Sequence, residues 1–420
     1  MDPVRENTLS LDQPKVSLRT PARTGLLTEL TRRRIYSTLE GIREGCLKIV
    51  FDGKLSVFGN PSKSSGLEAT IWVHDAEFFR GIGLRGSMGA GESYMDGLWS
   101  CDDLTAAVQI FAKNPHFLKT VDSGLGRSLM PLYRLMHRLK RNTRRGSRQN
   151  IAEHYDLGNE FFSLFLDKSM MYSCAYFDSE ESTLGQASLA KMDQICTKLE
   201  LGPTDHLIEI GTGWGGFAIH AASRFGCRVT TTTISEEQFR FAQGRVLKAR
   251  LEDQVTVLQE DYRDLRGSYD KLVSIEMIEA VGHDFIGEYF RKCSDLLHTG
   301  GRGLIQAIIK SEEFFEGSKK SVDFIQRYIF PGSDIPSLTS IEDGLKEAPE
   351  LRLSDLEDIT RHYAETLRHW RIRFFDNVHE IKAMGFSERF IRMWDFYFSY
   401  CEGGFRERHI GDVQLLLEKA

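Results

Sequence analysis

The stretch Leu207–Gly216, LIEIGTGWGG, sets one acid, Glu209, inside an apolar run and closes the run with Gly211, Gly213, Gly215 and Gly216. Such a run, followed by the helical pattern Phe217–Phe225, reads as a buried parallel strand that turns tightly into a helix. Glycines at that turn let the backbone approach a bound molecule closely, so the stretch reads as a nucleotide-type pocket. The lysine of a phosphate-binding P-loop is missing.

The elements that must position this turn are legible from Ile151 onward. Apolar runs LIEI, CRVTTTTI, QVTVL, KLVSIEMI and GRGLIQAII alternate with helical stretches, which predicts an α/β fold with a doubly wound, mainly parallel sheet. Ligands of such sheets sit at the carboxyl ends of the strands. The residues to inspect are therefore Gly211–Gly216, Thr233–Gln238, Asp261–Asp264, Glu276–Gly282 and Gln306–Ile309.

The preceding chain has a different character. Residues 1–25 are polar, carry three prolines and read as a disordered arm. Residues 26–125 read as a smaller α+β domain: a helix over Thr28–Gly41, a small antiparallel sheet with helices from Cys46 to Arg85, a glycine-marked loop in GSMGAGESYMDGLW, then a helix opened by Asp102 and Asp103. Residues 126–150 hold a basic block (Arg127, Arg134, Arg138, Lys140, Arg141, Arg144, Arg145, Arg148) interleaved with leucines. That pattern suits an interfacial helix on anionic lipid or a solvated linker helix, and either marks a domain boundary. The aromatic-rich last hundred residues read as core.

The net charge of −6 argues against a nucleic-acid partner. Seven scattered cysteines without a C-x-x-C pair predict reduced thiols in a cytoplasmic protein and no metal site. No window approaches the length of a membrane span and the first residues lack a signal-peptide core, so membrane contact is expected to be peripheral.

Glu209-x-Gly211-x-Gly213 resembles the glycine-rich turn of S-adenosylmethionine (AdoMet) methyltransferases. Further segments extend the likeness: HYDLGNEFFSLFLDKSMMYSCAYF (154–177), TISEEQ (233–238), EMIEAVGH (276–283), RYIFPGSDIPS (327–337) and SYCEGGFR (399–406). Together they resemble the cyclopropane fatty acid synthase family of AdoMet-dependent methyltransferases. The resemblance implies a Rossmann-like catalytic domain over 151–420, preceded by a lipid-handling domain. It also implies methyl transfer from AdoMet to a cis double bond in an unsaturated phospholipid acyl chain, giving a cyclopropane, at the inner face of the membrane. A methyl- or methylene-branched product is the first alternative and a non-catalytic lipid-binding protein the second, and a second copy of the chain is a partner left open.

By the same resemblance, AdoMet lies against Tyr172, Ser173, Glu209, Gly211, Gly213, Thr233, Ile234, Gln238, Asp261 and Tyr262. Bicarbonate would be recruited as the base, cradled by Cys174, Glu279, the backbone near Ile308, and Tyr363. Gln306 stands where many members carry a histidine, and glutamine can donate a hydrogen bond but cannot titrate. Cys401 matches a position suspected of catalysis, although the chemistry has no use for a thiolate and a packing role is the stronger expectation.

The physical logic agrees. An alkene is a weak nucleophile, so the sulfonium supplies the driving force and the protein needs no nucleophile. The resulting cation needs shielding by aromatic faces, for which Tyr176, Phe177 and Tyr328 are candidates, and a base must wait in an apolar cavity.

Overall fold

The computed structural model describes residues 25–60, 66–121, 146, 157–318 and 321–420. The expected arm, up to residue 24, and all of the basic block lie outside the described residues. Two compact units divide the chain, Met1–Ser128 and Leu129–Ala420.

In the first unit, β1 (Cys46–Phe51), β2 (Lys54–Gly59), β3 (Glu68–Val73) and β4 (Trp99–Cys101) form a sheet in the order β2-β1-β3-β4. The sheet is mixed rather than antiparallel, because β1 and β3 run parallel. A helix covers Leu26–Leu39, and Asp103 caps the helix Leu104–Lys113 by accepting from the Ala106 N–H. The glycine-marked stretch is no loop: it belongs to the bent helix Glu77–Met95, broken at Gly86, where φ is +62°. A Cβ on Gly89 would lie 2.1 Å from the Gly81 carbonyl oxygen, so these glycines serve close packing of the two halves of the bend.

The second unit is built on a seven-stranded sheet in the order β10-β11-β9-β8-β5-β6-β7. Its strands are β5 (His206–Ile210), β6 (Arg228–Thr232), β7 (Val255–Leu258), β8 (Tyr269–Ile275), β9 (Leu297–Lys310), β10 (Leu351–Asp358) and β11 (Ile410–Lys419). Strands β5 to β9 pair in parallel, while β11 runs antiparallel to both β9 and β10. The expected α/β fold with a mainly parallel, Rossmann-like sheet is present.

Both faces of the sheet are covered, which is why its central strands read as continuous apolar runs. Leu207, Val229, Val273 and Leu304 pack on one side with Met192 and Ile195 of helix Leu184–Lys198 and with Phe217 and Ala221 of helix Gly216–Phe225. Ile208, Ile210, Leu272 and Ile305 pack on the other with Tyr289, Phe290 and Cys293 of helix Ile286–Leu296. The aromatic C-terminal stripe is core as expected: Trp370, Phe374 and Trp394 are almost fully buried.

Strand order reverses at β5, whose neighbours are β6 and β8, and such a switch point opens a crevice at the strands' carboxyl ends. There β5 ends in the glycine turn, β8 in Glu276 and β9 near Ile308. Antiparallel β11 brings Asp412 to the same edge, opposite Ile308. Among the described residues no helix is long and apolar enough to cross a membrane.

Candidate active site

The glycine turn takes the shape its residues predict. Gly211, Gly213 and Gly215 have φ of +103°, +51° and +80°, a region that strains any residue with a Cβ. Gly216 is required by contact: a Cβ there would lie 2.5 Å from the Ser169 carbonyl oxygen. A Cβ on Gly213 would meet nothing within 4 Å, so the turn leaves open space there.

Glu209 lies within the sheet directly opposite Thr231, whose hydroxyl donates to it at 2.6 Å. Burial pushes its carboxyl up to about 8, against the Thr231 bond and the charge of Lys191. The folded protein thus holds this proton to about pH 8, whereas an unfolded chain releases it near 4.5. The stabilisation is full below pH 4.5 and is lost as pH climbs to 8. Glu209→Gln should therefore flatten the pH dependence of stability by on the order of 3 kcal/mol across that window. Melting curves of the two proteins that stay parallel from pH 5 to 8 would show this reasoning wrong.

Other expected cofactor residues surround this turn or stand behind it. The Thr233 hydroxyl donates to the Gln238 side-chain oxygen at 2.9 Å, and Ser235 caps the following helix Glu236–Ala249, with half-buried Ile234 between them. Asp261, after β7, is buried and paired with Arg263 at 2.7 Å. The Arg263 guanidinium also lies over the Tyr262 ring, 5.5 Å from its centroid. The Tyr172 hydroxyl meets that of Tyr397 at 3.2 Å. Ser173 accepts a 2.7 Å hydrogen bond from Lys191, which is fully buried.

The chemistry concentrates at the ends of β8 and β9. Glu276, in the left-handed region at φ +49°, accepts from the Cys174 N–H at 2.8 Å, the Gln306 amide at 2.8 Å and the Tyr363 hydroxyl. Gln306 also donates to Asp412 at 3.2 Å and accepts from Gln414 at 3.2 Å. Glu279 accepts from the Ile308 N–H through one oxygen, while its other oxygen is buried without a hydrogen-bond partner. Burial pushes Glu279 up to about 8, and the nearby Glu276 charge pushes the same way. Burial likewise raises Glu276 and Asp412.

Cys174 is fully buried and its thiol is raised by burial, so it contributes its backbone N–H and not a thiolate. Cys401, on helix Glu388–Arg406, is also raised by burial, with the Asp323 charge pushing the same way, so its thiol is no more a thiolate than that of Cys174. Tyr176 stacks on His362 and bonds Glu357, Phe177 stacks on His369, and Tyr328 already carries the Arg327 guanidinium over its face. A further row of rings starts at Tyr363, whose hydroxyl bonds Glu276: Tyr363 meets Trp370, Trp370 meets Tyr172, and Phe330 packs between Tyr172 and Tyr397.

Sequence reasoning singled out neither Glu276, Lys191 nor Asp412. Glu276 lay within a strand-end segment marked for inspection, and its position directly after the β8 run was the available signal. It also changes the expected anion cradle. The Cys174 N–H, the Gln306 amide and the Tyr363 hydroxyl are engaged by Glu276, and the Ile308 N–H by Glu279. With its donors engaged in this way, the site does not fit bicarbonate.

Residues 142–415 match the family model of mycolic acid cyclopropane synthetase. The chain belongs to that family. It is 38% identical over 357 residues to the Escherichia coli cyclopropane-fatty-acyl-phospholipid synthase, covering 83% of this chain and 86% of that one. It is 37% identical over 380 residues to the Mycobacterium tuberculosis tuberculostearic acid methyltransferase UfaA1, covering 88% and 87%. Among solved structures, the mycolic acid cyclopropane synthase CmaA1 complexed with SAH and CTAB aligns with a TM-score of 0.61 at 29% identity, over 65% of this chain and 98% of that one. As a member of this family the chain is an AdoMet-dependent methyltransferase of the cyclopropane synthase type.

Proposed function

We propose that this chain transfers a methyl carbon from AdoMet to a cis double bond of an unsaturated phospholipid acyl chain and closes it to a cyclopropane. The carrying observation is the unpartnered, buried oxygen of Glu279 at the sheet edge that also holds the glycine turn. Bound AdoMet supplies an electrophilic methyl. The chain's own residues then have two tasks. Tyr172, Trp370, Phe330 and Tyr397 keep water from the acyl cation and offer it ring faces. Glu279 takes a proton from the transferred methyl, and the electron pair of that C–H bond closes the ring.

Comparable identity to UfaA1, together with Gln306, favours a second reading in which the same cation loses a proton to give a methylene-branched chain, which an outside hydride donor would reduce to a methyl branch. Incubation with methyl-labelled AdoMet and vesicles should place label in unsaturated acyl chains only. Equal labelling of fully saturated vesicles, or none of either, would overturn the proposal.

The double bond lies roughly 10 Å or more below the headgroups, so the protein must dock on the bilayer to reach it. Docking is assigned to the basic block, which lies outside the described residues. Neutralising Arg141, Arg144, Arg145 and Arg148 should weaken binding to anionic vesicles by about 1 kcal/mol per residue and blunt its salt sensitivity. Unchanged binding in sedimentation assays would exclude this surface.

A further inference from the structure

We infer that Glu276 is a built-in anion: its carboxylate fills the place that a recruited bicarbonate would occupy, so this chain completes its deprotonating site without an external anion. The inference rests on the proposed lipid methylation and deepens it. Three donors from distant parts of the chain converge on this one side chain: a loop N–H (Cys174), a strand amide (Gln306) and a helix hydroxyl (Tyr363). None of them is a cation, so this is not an ordinary ion pair. The backbone at Glu276 adopts φ +49°, a conformation that costs a non-glycine residue of order 1 kcal/mol or more and persists only when surroundings enforce it.

The two carboxylates are sorted into two roles by their environments. The three donors to Glu276 favour its charged form against the burial that raises it, and they fix its carboxylate in place beside Glu279. Glu279, with one backbone donor and one unpartnered oxygen, is the proton acceptor. In the balanced step the transferred methyl loses a proton to Glu279, the C–H pair forms the new C–C bond, and Glu276 is unchanged. Glu276 is thus a positioning residue for Glu279. Its charge also raises the basicity of Glu279, which gives its removal a signature beyond lost rate.

The test uses the full-length protein in carbonate-free buffer, with ¹³C-bicarbonate binding followed by NMR and turnover followed with labelled AdoMet. Wild type should turn over without bicarbonate, gain nothing from its addition and bind none. Glu276→Gln should lower kcat about a hundredfold and shift the acid limb of its pH profile downward, with AdoMet binding intact. Glu276→Gly, which suits the positive φ, should bind bicarbonate in the vacated site and recover turnover when it is added. Bicarbonate binding by wild type, a wild-type rate that rises with bicarbonate, or a Glu276→Gln variant with unchanged rate and pH profile would each overturn the inference. A wild type that methylates no lipid would instead sink the proposed function, and the binding arm would still decide the role of Glu276.

Discussion

Replacing Lys191 by methionine should cost the folded protein roughly 3–5 kcal/mol at pH 8, the penalty of leaving a buried charge without its partner. Among the described residues Lys191 is the one lysine or arginine that is buried, and it is buried completely. The charges of Glu209, Glu276 and Asp412 are all eased by it, and it anchors Ser173 by a hydrogen bond. Burial pulls the ammonium below its usual range while Glu276 and Asp412 pull it back. Without it, Glu209, Glu276 and Asp412 keep no fully buried cation among the described residues. The fall in melting temperature should be about 10 °C at pH 8. It should shrink toward pH 5, where Glu209, raised to about 8 by burial, has taken up its proton and no longer needs a cation. A variant that melts like wild type at pH 8 would show that the ammonium does not balance these acids.

Glu279→Gln should lower turnover by about 10²–10⁴-fold, the range expected when a positioned general base is removed. AdoMet binding should be preserved, because the glycine turn belongs to a different strand. Stability supplies an independent check. Glu279 is raised to about 8 in the folded protein, so its stabilisation is full below pH 4.5 and is lost as pH rises to 8. The neutral isostere escapes that loss, and the variant should be slower and, at pH 8, no less stable. The wild-type rate should rise through about pH 8 as this carboxyl gives up its proton, a limb the variant lacks. Near-full turnover by Glu279→Gln would remove Glu279 from the chemistry.

The two halves of the site differ in how far the sequence reveals them. The glycine turn is local: LIEI announces a strand buried on both faces, and the glycines that follow need positive φ or close approach within a few residues. Glu276 is not local. Its partners Cys174 and Tyr363 lie 102 and 87 residues away, and only the fold brings them together. Asp412 reaches the strands' carboxyl edge because β11 runs antiparallel to β9, a pairing that no periodicity specifies. The misreading of GSMGAGESYM has a similar origin. Glycines suggest a loop, yet here Gly81 and Gly89 allow two helical segments to touch, and that contact is invisible to propensity.

The identity of the base matters less to the whole account than the fate of the methyl hydrogens. Supplying AdoMet with a trideuterated methyl group, together with unsaturated phospholipid vesicles, and weighing the released fatty acids follows those hydrogens directly. The modified chain should gain the transferred carbon with two of its three deuterons, the third having been taken by a carboxylate. Retention of all three deuterons, or no transfer to the acyl chain, would contradict it.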